Sequence, residues 1–238
     1  FHFLRSKELL GIDLGSTSVK VVQISNGKLV RCFYKELDPK EAAPEISVTE
    51  KGAAQESLLK SFFEEEKGAP RVGSVSISGN SVIVRYVKLP KLPREELEKT
   101  IQFEAEPYIP FAIPEVNIGF HILGDVIEDG QSKMETVLVA AKKELIDQRL
   151  GVLAAVGVRP VVVDVDAFAM ESAYESVMQG AQETALMINI GANVTTMIIL
   201  ENGLSRVVRD VFIAGNTINK SLQRIFDCSF EEAEKLKR

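Results

Sequence analysis

The stretch Gly11-Ile12-Asp13-Leu14-Gly15-Ser16-Thr17 ends a short apolar run in a turn made of small and hydroxyl residues. Gly15, Ser16 and Thr17 offer unhindered N–H groups and hydroxyl donors, which is what a tight loop needs to cradle phosphate oxygens. Asp13 sits at the end of the preceding strand. A carboxylate there is placed to hold hydrated Mg2+, an ion that keeps its waters and takes few protein ligands. Lys20 follows where an alternating strand returns a cation toward the same phosphates, and a solvated strand lysine is an equal alternative. A dinucleotide fold would put Gly-x-Gly-x-x-Gly directly ahead of a helix; here a second strand follows instead, so that fold is excluded.

The same device occurs again in the second half of the chain. Ala185 to Ile190 is an apolar strand containing Asn189, followed by Gly191-Ala192-Asn193-Val194-Thr195-Thr196 and a strand to Leu200. Asp13 and Asn189, Gly15 and Gly191, Asn26 and Asn202, and Gly27 and Gly203 each stand 176 positions apart. One Asn-Gly hairpin is an ordinary structural turn. A shared offset across loop and turn indicates a duplicated unit, as a two-lobed polyphosphate clamp requires. Gly191, Asn193 and Thr195 are the donors of the second loop. Asn189 replaces the carboxylate there, which weakens metal attraction while leaving an acceptor for a metal-bound water, so nucleotide binding is better preserved than fast hydrolysis.

Two further positions bear on the chemistry. Asp164 and Asp166 flank a strand-to-helix junction, where Asp166 either caps the helix or orients a water for γ-phosphate cleavage. Gly215-Asn216-Thr217 opens a helix carrying Ile218, Leu222 and Ile225, and Ser229-Phe230-Glu231-Glu232 is a capping-box signature for a last helix. Gly215 joins the nucleotide-binding set.

The elements that position these residues follow from spacing. Asn26-Gly27 predicts that Leu29 to Tyr34 returns antiparallel to Val19–Ser25. Leu58, Leu59, Phe62 and Phe63 recur at helical spacing until Lys67-Gly68, and Val72 to Ser78 reads as a strand. Between Ser81 and Pro160 the pattern changes. Strands at 82–89, 116–123 and 135–141, with helices at 94–106 and 143–156, give a βαββα unit inserted ahead of the apolar strand Val161–Val165. Pro107, Pro110 and Pro114 punctuate its long connection. The expected organisation is a first-lobe core at 1–80 and 161–188, an insert at 81–160, and the start of a second lobe at 189–238.

Bulk properties exclude several classes. The chain has 238 residues, 45% of them hydrophobic, enough for a well-buried core. With 28 basic against 34 acidic residues the net charge is −6, which argues against a phosphate-backbone binder and hence against nucleic acid. Cys32 and Cys228, His2 and His121 are too few and too scattered for a disulfide framework or zinc cluster, and both thiols read as small buried apolar residues. The opening residues 1–8 lack an apolar signal-type region, and no apolar run approaches a membrane span. The expected location is cytoplasmic, with any membrane role supplied by a partner.

Asp13-Leu14-Gly15-Ser16-Thr17-Ser18-Val19-Lys20 resembles the first phosphate motif of the actin-like ATPase superfamily, Asn189 to Thr196 its second, and Asp166-Ala167 its connecting motif. Within it, Gln102-Phe103-Glu104-Ala105-Glu106-Pro107-Tyr108-Ile109-Pro110-Phe111 and Val163-Asp164-Val165-Asp166-Ala167-Phe168-Ala169 resemble the PilM family of type IV pilus assembly proteins, related to the cell-division protein FtsA. The resemblance implies an actin-like, ribonuclease H-like α/β core of two lobes with a small insert, binding ATP with Mg2+. It also implies docking of the N-terminal cytoplasmic tail of the inner-membrane protein PilN, a place in the pilus assembly platform, and peripheral association with the inner membrane. The stretch Glu106–Pro114 is then one wall of the docking groove, or simply a packed loop. Homo-oligomerisation stays open, and Asn189 implies at most a slow ATPase. The adenosine motif of such proteins falls after Arg238, so the second lobe is expected to be incomplete. An FtsA-like filament, a nucleotide-binding pseudo-ATPase and a sugar-kinase relative are the competing readings, the last lacking any convincing carboxylate base.

Overall fold

The computed structural model describes residues 9–43, 45–178, 180 and 183–238. The opening segment 1–8, read above for its lack of a signal-type region, lies outside the described residues, and so does His2.

The first sheet begins as the predicted meander. Strands β1 (Leu10–Leu14), β2 (Ser18–Ser25) and β3 (Lys28–Glu36) pair antiparallel in sequence order. Asn26 at φ 50° and Gly27 at φ 72° make the turn, both in the left-handed region that Asn and Gly tolerate. After α1 (Pro39–Ala42), helix α2 (Val48–Glu65) starts from a capping box in which Ser47 and Glu50 satisfy each other's backbone N–H groups. Strand β4 (Val72–Ile77) lies parallel to β1, and β8 (Arg159–Val165) lies parallel to β4. The sheet order is β3-β2-β1-β4-β8. Against it pack Leu59, Phe62 and Phe63 of α2, with Phe62 edge-on to Phe33 at 5.2 Å between ring centroids. Truncating Phe62, which is fully buried, removes about 3–5 kcal/mol.

Between β4 and β8, which pair directly, the chain makes a second sheet from β5 (Val82–Pro90), β6 (Val116–Glu128) and β7 (Gln131–Lys142), in the order β5-β7-β6. Helix α3 (Arg94–Ala105) covers one face, its Leu97, Ile101 and Ala105 packing on Leu89, Leu138 and Ala140. The connection to β6 contains 3₁₀ turns at Glu106–Tyr108 and Ile113–Glu115, with Ile109 buried between them. Both β6 and β7 run past their predicted ends. The ladder continues through an irregularity between Ile122 and Gly124 to a tight Asp129-Gly130 turn, since cross-strand pairing overrides the weak strand preference of Gly124 and Asp125.

One sequence expectation needs correction. Helix α4 (Lys143–Ala155), read as closing the insert, buries Val152 and Leu153 among Leu10, Leu59, Phe62 and Val75 of the first sheet's core. Helical periodicity identifies an apolar face but not the sheet that will receive it.

Helix α5 (Asp166–Met178) leads to the third sheet, β9 (Thr184–Ile190), β10 (Thr195–Glu201) and β11 (Leu204–Val211), in the order β11-β10-β9. Asn202 at φ 53° and Gly203 at φ 80° repeat the first hairpin turn. The repeat extends to an irregularity that sequence does not announce. Register shifts between Gln23 and Ile24 in the first hairpin and between Ile199 and Leu200 in the second, again 176 positions apart. Helices α6 (Gly215–Phe226) and α7 (Phe230–Lys237) follow, α7 with the predicted Ser229–Glu232 capping box. The open face of the second sheet meets the third through Val84 and Val137 against Ile198, Leu200 and Val208. Cys32 is exposed on the edge strand β3 and Cys228 only half-buried, against the expectation of buried thiols. No helix among the described residues is long and apolar enough to cross a membrane.

Candidate functional site

The first and third sheets present their glycine loops to opposite sides of one cleft of about 990 Å3. That volume is in the range of nucleotide-sized sites. The cleft brings together Asp13, Gly15, Ser16, Thr17, Lys20, Asp166, Asn189, Gly191, Asn193 and Gly215. Nine of these come from the two loops and the junctions that sequence singled out, and Gly215 from the start of α6.

Both loops require glycine for the same reason. A Cβ at Gly15 would lie 2.9 Å from the Ser18 carbonyl oxygen, and one at Gly191 would lie 2.8 Å from the Val194 carbonyl oxygen. Each turn is therefore too tight for a side chain at its glycine, which lets the chain fold back closely enough to turn neighbouring backbone N–H groups toward the cleft. The second loop is closed by Gly191 N–H donating to Val194 O at 2.9 Å, and it is tied to α6. Gly215 N–H donates to Gly191 O at 3.0 Å, Asn216 N–H to Ala192 O at 2.8 Å, and the Asn216 amide to Asn193 Oδ1 at 2.7 Å. The N-terminal end of α6 thus faces the cleft beside the loop, where its dipole favours negative charge.

The side chains around the two loops differ. Lys20 Nζ donates to Asp13 Oδ2 at 2.7 Å across the β1–β2 pair, both groups being about half exposed. At the matching pair in the third sheet Asn189 faces Thr196, whose hydroxyl donates to Asp210 Oδ1 at 2.7 Å. Asp210 also accepts the Gly79 N–H at 3.1 Å, which joins β11 to the end of β4. Charge lies open in the cleft on one side and is used for bracing on the other.

Two readings from sequence are corrected by this geometry. Thr195 does not line the cleft: it is buried in β10 and its hydroxyl donates to Ile213 O at 2.7 Å, because strand alternation turns it away from the loop. Asp166 is not the cap ahead of α5. It is the helix's first residue and faces the cleft, accepting no hydrogen bond among the described residues. Its neighbour Asp164 accepts the Val165 N–H at 2.8 Å, and burial pushes the Asp164 carboxyl up.

Sequence reading missed several residues in the cleft wall and behind it. Gln55, buried in α2, donates from Nε2 to Gly15 O at 2.8 Å and so fixes the back of the first loop. Arg149 of α4 reaches Gln55 Oε1 at 3.4 Å. Both positions carried a signal: Gln55 stands four residues before Leu59 and Arg149 four before Leu153, polar residues on apolar helical faces. From the last helix, Glu234 accepts from Lys237 and from Asn219, and Arg238 bridges Glu234 and Glu36 at 3.1 and 3.0 Å. Tyr34 adds its hydroxyl to Glu36 at 2.8 Å, and together with Arg238 this hydrogen bonding holds the Glu36 carboxyl below its usual range.

Comparison with known proteins agrees with this architecture. A family model described as "Type IV pilus assembly protein PilM" matches residues 11–238. Among solved structures, a "PilM-PilN type IV pilus biogenesis complex" superposes with TM-score 0.83 at 27% identity, covering 96% of this chain and 68% of that one. The cytoplasmic domain of EpsL, an inner-membrane component of the type II secretion system of Vibrio cholerae, matches with TM-score 0.54 at 12% identity over 94% of this chain and 76% of its own. MreB5 of Spiroplasma citri, solved with AMPPNP, matches with TM-score 0.52 at 13% identity over 98% and 62%. At such identities the last two speak for the fold alone, which is actin-like.

Proposed function

The chain belongs to the family of the type IV pilus assembly protein PilM, and we propose from that premise that it binds ATP with Mg2+ between its two glycine loops and acts as a scaffold in pilus biogenesis. The observation that carries the nucleotide reading is the pair of tight turns, each with no room for a Cβ at its glycine, opening on one cleft beside the start of α6. The residues present fit the ligand. N–H groups of Gly15, Ser16 and Thr17 on one side, and of Asn193 on the other, are suited to phosphate oxygens; Gly191 shapes the second loop while its own N–H stays on Val194 O, and Gly215 adds the helix dipole.

Asp13 would hold Mg2+ through its water shell, and Asn189 would accept from a metal-bound water. The bound ion supplies positive charge that offsets the phosphates. Lys20, on Asp13 in the structure, is in position to exchange that partner for a phosphate oxygen. Asp166, which accepts no hydrogen bond among the described residues, is the group that would orient an attacking water. With a neutral Asn189 in place of a second carboxylate, the cleft is better equipped to hold ATP than to cleave it, so hydrolysis is slow at most.

For the partner, the similarity to a PilM-PilN complex supports docking of the N-terminal cytoplasmic tail of PilN, which would bring this protein to the inner membrane. The wall at Glu106–Pro114 is consistent with that role in part. Tyr108 is exposed there, as is Phe103 just ahead of it on α3, whereas Ile109 is packed. Titration with Mg·ATP should raise the melting temperature of the full-length protein, by an increment equivalent to about 2.7 kcal/mol at a hundredfold excess over Kd. No rise would sink the nucleotide reading. A PilN tail peptide that fails to retain the protein on a column would count against the docking reading.

A further inference from the structure

Arg149 occupies an unusual electrostatic position. It projects from the buried face of α4 into the wall of the cleft, alongside Asp13, Gly15, Ser76 and Asp166. Its Nε is buried without any hydrogen-bond partner among the described residues, and Nη1 has only the long 3.4 Å approach to Gln55. Burial lowers its proton affinity, opposed at a distance by Asp166 and then Asp13. None of the ion pairs among the described residues includes it. Lys20, Lys237 and Arg238, which also face the cleft, each hold a carboxylate, and Lys235 is exposed.

A buried guanidinium short of partners is costly, and its planar fork of donors matches the oxygens of a phosphate better than a point charge does. Its location says which phosphate. Arg149 shares the cleft lining with Asp13 and Asp166, the metal and water end, and theirs are the carboxylate charges that act on it. Through Gln55, which donates to the Gly15 carbonyl, it is also linked to the back of the first loop.

We propose that Arg149 binds the terminal phosphate of the nucleotide and makes the cleft discriminate a nucleoside triphosphate from the diphosphate. This rests on the nucleotide reading of the cleft given above. The incoming phosphate supplies the counter-charge that the fold withholds, and Gln55 passes the engagement to the first loop.

The test is calorimetric titration of full-length wild type, R149Q and R149K with Mg·ATP and Mg·ADP, alongside melting of each protein without nucleotide. R149Q should lose about tenfold or more in ATP affinity, the scale of a charge-assisted hydrogen bond, with ADP affinity changed less than about threefold. R149K should fall between. Without nucleotide, R149Q should melt at or above wild type, since removing a buried cation short of partners relieves a cost. Wild type that binds both nucleotides while R149Q binds ATP as before, or loses ATP and ADP equally, overturns the role of Arg149 alone. Wild type that binds neither overturns the cleft reading with it. R149Q and R149K that both unfold make Arg149 structural and overturn the proposal too.

Discussion

The two loops share a backbone and differ in charge. Gly15 and Gly191 sit in turns of one shape, with Ser18 and Val194 as the carbonyls that forbid a side chain, and the hairpins that follow share turn, offset and bulge. Around that common frame, Asp13 with Lys20 leaves two opposite charges at the cleft, whereas Asn189 with Thr196 leaves none and ties its hydroxyl to Asp210. On the proposed reading, duplication would supply the phosphate grip from both sides of the cleft, and divergence would leave the metal-holding carboxylate to the first lobe while the second uses Thr196 and Asp210 for bracing.

The comparison can be broken most forcefully at the glycines. G15A and G191A should each lower folding stability by about 1–3 kcal/mol, since the clash is with backbone, and each should abolish the Mg·ATP-induced rise in melting temperature. Tolerance of either by calorimetric melting would show that the loops are not equivalent clamps. Adding the missing carboxylate sharpens the contrast next. N189D should raise steady-state phosphate release about tenfold, equivalent to about 1.4 kcal/mol, and an unchanged rate would remove Asn189 as the basis of the slow hydrolysis proposed above.

Bracing and charge separate in a third pair. T196V deprives the half-buried Asp210 of a donor and should cost about 1–2 kcal/mol in urea unfolding, while K20M breaks an exposed pair and should cost under about 1 kcal/mol. Equal losses would contradict the division of labour. The smallest effect belongs to the turns, where N26A and N202A should each cost about 0.5–1 kcal/mol and match one another, because both force alanine into the left-handed region.

Much of this frame was legible in the sequence. Asn-Gly pairs constrain backbone directly, so both hairpins and their common offset could be read before any coordinates. The helices α2, α6 and α7 followed from periodicity and capping residues. What escaped was tertiary. The apolar face of α4 gave no hint that Val152 and Leu153 belong to the first sheet, and Thr195 reads as a loop donor until strand alternation turns it inward. Gln55 and Arg149 were visible as polar residues on apolar faces, but their meeting behind Gly15 depends on how two helices 94 residues apart pack.

The division of labour between the loops is tested most directly by titrating ATP into wild type and D13N, each with and without Mg2+. The account predicts that Mg2+ tightens ATP binding in wild type and that D13N still binds ATP but no longer responds to Mg2+. Binding by D13N that responds to Mg2+ as strongly as wild type would contradict it.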